Sequence, residues 1–208
     1  MLLLVRCFRR SGADRAFAGS VRIWDVSPGY LNAQSLLGEH RELHGLHSIL
    51  VHGKTGYSRH PETLRWVGCL SGLARRHALL VAEMQLRGYS HRSPLDRPHH
   101  RVRWPGAFVT DPGGQYALLT SKYRGKSAGR IPLPRTVQEL WAHHRYSVMA
   151  RDPEACRTMA RRVARLKRSA DLRRLGEDLV MILRQDPPLG WVVNALERMW
   201  ADVADSAT

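Results

Sequence analysis

The chain has 208 residues, 43% of them apolar, which is enough for one cored domain or two small ones. Lysine and arginine total 33 against 18 acids, and a formal charge of +15 favours phosphate backbones or anionic surfaces as partners while saying nothing about fold. No apolar run approaches the roughly 20 residues that span a bilayer, and Cys7, Cys69 and Cys156 form no zinc-knuckle or redox pair, so a membrane helix and a disulfide scaffold are not expected, whereas reduced thiols in a cytoplasmic, nucleoid-associated monomer are.

Residues 1–20 carry no sustained period and read as a non-native or disordered extension. Their apolar start precedes Arg6, Arg9 and Arg10, the reverse of a secretory signal. Val21 to Val26 is a short apolar run closed by the turn signal Ser27-Pro28-Gly29. Asn32 is a good N-cap for a first helix with Leu36, His40, Leu43, His47 and Leu50 at helical spacing and Gly53 at its end. A second helix is expected from about Pro61 to Arg87, with Leu64, Val67, Leu70, Leu73, His77, Leu80, Val81 and Met84 on one stripe and Gly88 closing it. Residues 90–134 are rich in proline and glycine and read as irregular. They hold a basic, aromatic-bearing segment whose Lys122, Arg124 and Lys126 are candidate DNA contacts.

Thr136 and Glu139 make a capping box for a helix through Ala150. Asp152-Pro153 caps another to about Lys167, a third spans about Asp171 to Gln185, and the last runs from Gly190 to about Trp200. Strand signals are scarce. The expected class is all-α, with a compact helical domain over 21–134 and a C-terminal helical region over 135–208 packed on it.

Arg41 and Glu42 sit side by side on the first helix, off its apolar stripe, and so face a groove or solvent. An acid flanked by arginine, with Arg22 nearby, suits a site that holds phosphates and moves a proton. Spacing alone fits a solvated charged face better. His40, His44 and His47 share one helix face, and His99-His100 and His143-His144 are pairs, but the order His40-x-Glu42-x-His44 is not that of zinc proteases. These histidines read as partly buried or phosphate-facing, with no metal and no cofactor expected.

Residues 21–89 resemble the pyrimidine dimer DNA glycosylases of phages and bacteria. The resemblance rests on Arg22-Ile23, on Glu39-His40-Arg41-Glu42-Leu43, on Gly53-Lys54, and on Ala82-Glu83-Met84 followed by Arg87-Gly88-Tyr89. It implies a DNA glycosylase with AP lyase activity on damaged double-stranded DNA. The nucleophile would be the free α-amine of the chain's first residue, which attacks deoxyribose C1′ and displaces the damaged base. The imine so formed permits β-elimination of the 3′ phosphate. An α-amine titrates near about 8, so part of it is unprotonated at neutral pH. By the same resemblance Glu42 is the assisting carboxylate, and Arg22, Arg41 and Lys54 lie among the DNA contacts. At Gly45 the phage members carry an arginine instead. Their aromatic C-terminal tail has no clear counterpart here, its place falling to Trp141 through Tyr146 or to Lys122-Tyr123-Arg124.

The residue aligned with the amine-bearing position is Val21, and twenty residues precede it. An amide nitrogen is not a nucleophile. The arginine-rich composition implies GC-rich coding, in which GTG serves as a start codon and otherwise reads as valine. The expected protein then begins at position 21, with an untrimmed methionine ahead of bulky Arg22. The rival reading is a non-catalytic basic DNA-binding protein, which needs only the charge.

Overall fold

The computed structural model describes residues 21–96, 101–167 and 170–205, and among them every regular element is helical. The extension expected over 1–20 lies outside the described residues, as do His99 and His100. The protein is all-α.

After a 3-10 turn at Pro28–Tyr30, helix α1 spans Ala33–His52. Its start is set by Asn32, whose side chain accepts the Ser35 amide at 2.9 Å. Its end is set by Gly53 at φ 64°, a left-handed conformation that glycine adopts without steric cost. Both bounds agree with the sequence.

The second helix does not run unbroken from Pro61 to Arg87. It is two helices, α2 (Pro61–Arg65) and α3 (Leu70–Leu86). Gly68 between them takes φ 72°, which ends the first helical path and redirects the chain. The expected apolar stripe fails at the same place: Leu64 and Val67 are 55% and 61% exposed, while Leu73, His77, Leu80 and Met84 beyond the break are buried.

Residues 90–134 are not irregular throughout. Helix α4 spans Pro112–Lys122, capped by Asp111, which accepts the Gly114 amide at 2.9 Å, with Pro112 at the first helical position. The C-terminal helices α5 (Val137–Met149), α6 (Pro153–Arg165), α7 (Leu172–Leu183) and α8 (Leu189–Asp205) lie close to their expected places. In the capping box of α5, Thr136 caps the Glu139 amide, and the Glu139 carboxylate reaches back one residue further, to the Arg135 amide.

Helix α1 packs on α3, and α3 meets the 3-10 turn. Helix α5 packs on α6, α7 and α8, and α4 packs on α7. A single buried apolar cluster runs from Ile23 and Trp24 through Leu36, Leu43, Leu73, Leu80 and Leu119 to Leu140, Val163 and Leu179. The 21–134 and 135–208 stretches therefore share one core.

Candidate active site

The apolar run at the start of the described chain has strand-like composition but no partner strand among the described residues. Five of its backbone groups are satisfied by side chains instead. Glu42 Oε2 accepts the Arg22 amide at 2.7 Å, and Glu39 Oε1 accepts the Trp24 amide at 3.1 Å. The Asp25 amide donates to Gln115 Oε1 at 2.8 Å. Arg65 donates to the Ile23 carbonyl, and Arg76 to the Val26 carbonyl, each at 2.8 Å.

These clips are themselves anchored. Arg76 grips both oxygens of Glu39, at 2.7 and 2.9 Å, in a pair almost wholly removed from solvent. Asp25 receives Arg65 at 3.1 Å and Arg184, the residue that caps the end of α7, at 2.7 Å. Removing one partner from such a buried pair leaves an uncompensated charge, so the segment's path is strongly specified.

The result is a cavity of about 200 Å³ between α1, α4 and the extended segment. Arg22, Trp24, Gln34, Gly38, Arg41, Glu42, Leu118 and Lys122 are among the residues that line it. Glu42 is half-buried. Desolvation raises its carboxyl above the usual range, Glu62 adding to the rise and the Arg22 amide, Lys122 and the Arg22 charge opposing it. Lys122 is exposed overall, yet desolvation lowers its ammonium pKa, with Lys126 and Arg22 pushing the same way and Glu42 opposing. Trp24, buried, is flanked by both cations: the Arg22 guanidinium lies 5.2 Å and Lys122 Nζ 6.0 Å from its ring centre. Arg22 also donates to Thr110 Oγ1 at 3.1 Å.

Of the residues singled out in the sequence, Arg22, Arg41, Glu42 and Lys122 are brought to one cavity. Val21 is half-buried, next in the chain to Arg22, and its nitrogen is an amide to Ser20. Lys54 is exposed beyond the far end of α1, and Arg124 is exposed after α4. Lys126 lines a separate groove with Tyr123 and His143. Tyr123 cannot stand in for an aromatic tail: it is buried, and its hydroxyl accepts the Asn32 amide at 3.0 Å. His144 is likewise buried, with Nε2 2.9 Å from the Tyr30 hydroxyl.

Sequence reasoning passed over Trp24, Gln34 and Leu118 as cavity walls. It also passed over Glu39, Arg65, Arg76 and Gln115 as clips. The Glu39 and Glu42 pair, three apart on one helix, was the available signal for two carboxylates facing one segment.

His40 and His44 of α1 do not continue to His47. They meet His77 of α3 and His91, which follows α3, and the ligand-capable atoms of the four lie within 4.8 Å of one another. Desolvation, with the neighbouring histidines, lowers His40 and His77 to about 4.

Residues 21–97 match the family model described as pyrimidine dimer DNA glycosylase. No curated protein and no solved structure matches the chain.

Proposed function

We propose, with the match of residues 21–97 as premise, that the protein is a DNA repair glycosylase with AP lyase activity that excises damaged pyrimidines, pyrimidine dimers foremost, from double-stranded DNA. The observation that carries the reading is the cavity beside Val21, in which Glu42, Arg22, Arg41 and Lys122 converge. Three cations there suit a phosphate backbone, and a half-buried carboxyl raised above its usual range by desolvation suits proton transfer.

The nucleophile is the free α-amine at position 21 of a chain that begins there. Its lone pair forms the bond to deoxyribose C1′ as the bond from C1′ to the base breaks, and the base leaves with that electron pair and takes a proton. Opening of the sugar ring at C1′ gives an imine. Loss of a C2′ proton then expels the 3′ phosphate. Glu42, hydrogen-bonded to the Arg22 amide next to that amine, moves the protons on the sugar. Arg22 and Arg41 hold the flanking phosphates. In the 208-residue chain the Val21 nitrogen is an amide, which favours the second reading, a non-catalytic DNA-binding protein.

The test is borohydride trapping on duplex DNA holding an abasic site, with the attachment mapped by mass spectrometry. The form beginning at position 21 should trap through its first residue, and the 208-residue form far less. Lys122 is the one lysine lining the cavity. Equal trapping by both forms, mapped to Lys122 and lost in Lys122→Arg, would replace the N-terminal amine but keep the lyase. No trapping by either form would leave the non-catalytic binder.

A further inference from the structure

We propose that His40, His44, His77 and His91 form a structural zinc site that fastens the segment after α3 to α1 and α3. The four come from three places in the chain. His40 and His44 are one turn apart on α1, His77 is on α3, and His91 lies beyond the end of α3. The rings sit 4.7 to 5.1 Å apart, centroid to centroid.

Protons cannot satisfy this arrangement. An imidazole nitrogen carries, in the ring plane, either one proton or one lone pair. His40 Nε2 lies 3.3 Å from His44 Nε2 and 3.1 Å from His91 Nε2, so one proton or one lone pair must serve two partners. Ser93 Oγ stands 3.4 Å from His44 Nε2 and 3.5 Å from His91 Nε2, beside the same cluster. His77 Nε2 is buried with no hydrogen-bond partner among the described residues, on a residue 4% exposed. A single cation accepting four lone pairs removes every one of these conflicts.

The geometry and donor set choose the cation. Zinc bound by imidazole at its usual distance of about 2.0–2.1 Å, in a tetrahedron, places neighbouring nitrogens about 3.3 Å apart. The His40–His91 and His40–His44 separations, 3.1 and 3.3 Å, are of that size, and all four ligand atoms lie within 4.8 Å of one another. Four nitrogens and no carboxylate do not suit calcium or magnesium, which take oxygen ligands. Four protein ligands leave no open coordination position, which is the structural rather than the catalytic pattern. Glu42 points the other way: at 3.6 residues per turn it lies about 200° around α1 from His40. The site therefore braces α1 from behind its cavity-lining face.

The experiment uses the 208-residue protein without a polyhistidine tag, stripped by chelator and titrated with zinc chloride against a chromophoric competitor. One equivalent should bind, cobalt(II) should give the intense visible bands of tetrahedral coordination, and the melting temperature should rise with zinc. His77→Gln and His91→Gln should each weaken binding tenfold or more, while His47→Gln leaves it unchanged. If His77→Gln does not fold, His91→Gln, outside any helix, decides. Binding well below one equivalent, octahedral cobalt spectra, or unchanged affinity in His91→Gln would overturn the site, as would equal loss in His47→Gln. None of these readouts involves DNA, so they stand apart from the glycosylase reading.

Discussion

Glu39 and Glu42 lie three positions apart on α1, and their surroundings set them apart. Glu39 has both oxygens on Arg76 and one of them also on the Trp24 amide, with its side chain wholly removed from solvent. Glu42 gives one oxygen to the Arg22 amide and opens on the cavity. Glu42→Gln keeps an acceptor for that amide but removes the titratable proton. Strand nicking should be abolished while duplex binding stays within a few-fold, as read by gel cleavage and anisotropy on the same preparation. Joint loss of binding and folding would make Glu42 a structural residue. A second residue-scale effect belongs to His144. Burial, with His143 and Arg151 adding to it, lowers this imidazole to about 4. The folded chain thus keeps it neutral, whereas the unfolded chain binds a proton near pH 6.5. The associated stability is complete above that pH and is lost as pH falls toward 4, about 3 kcal/mol at full extent. His144→Gln should flatten the fall of melting temperature between pH 6.5 and 4 without abolishing it, because His40 and His77 shift the same way. An unchanged slope would count against it.

At the scale of elements, α1 was readable because Asn32 and Gly53 mark its ends with local chemistry that needs no tertiary partner. The break at Gly68 was not, because Leu64 and Val67 happen to continue the period of the helix beyond it although they face solvent. Helix α4 was missed because Asp111-Pro112-Gly113-Gly114 reads as a turn, yet Asp111 and Pro112 are a capping residue and a first-turn proline. The segment from Val21 to Val26 was legible as apolar and extended, but its partners are distant side chains rather than a strand. The histidine cluster was half legible. His40 and His44 are a turn apart, whereas His77 and His91 join them only through the packing of α3 on α1. The Gly68 break also sets an expectation. Gly68→Ala forces a side chain into a left-handed conformation at a cost of about 1–2 kcal/mol. Urea unfolding should show that loss, and no loss would mean that the chain re-routes freely there.

Over the whole molecule, the charge of +15 is the dominant electrostatic fact. Each phosphate neutralised on duplex DNA releases counterions, so affinity should fall steeply between about 50 and 200 mM salt. Arg41→Glu, on an exposed side chain at the cavity, should lower affinity further and make the salt dependence shallower, measured as anisotropy across a salt series. Salt-independent binding would remove the nucleic-acid reading. The C-terminal region takes part in the site's support: Arg184, at the end of α7, reaches Asp25, and His144 of α5 reaches Tyr30. The path of residues 21–26 is held amide by amide and carbonyl by carbonyl, and this has a practical consequence for protein production. A purification tag fused directly ahead of position 21 would emerge beside the cavity. It would convert the first nitrogen into a peptide bond and so remove the amine that the proposed mechanism requires, and an inactive preparation would then reflect the cloning vector. A tag behind Thr208, or an amino-terminal one cleaved to leave no scar, avoids that artefact.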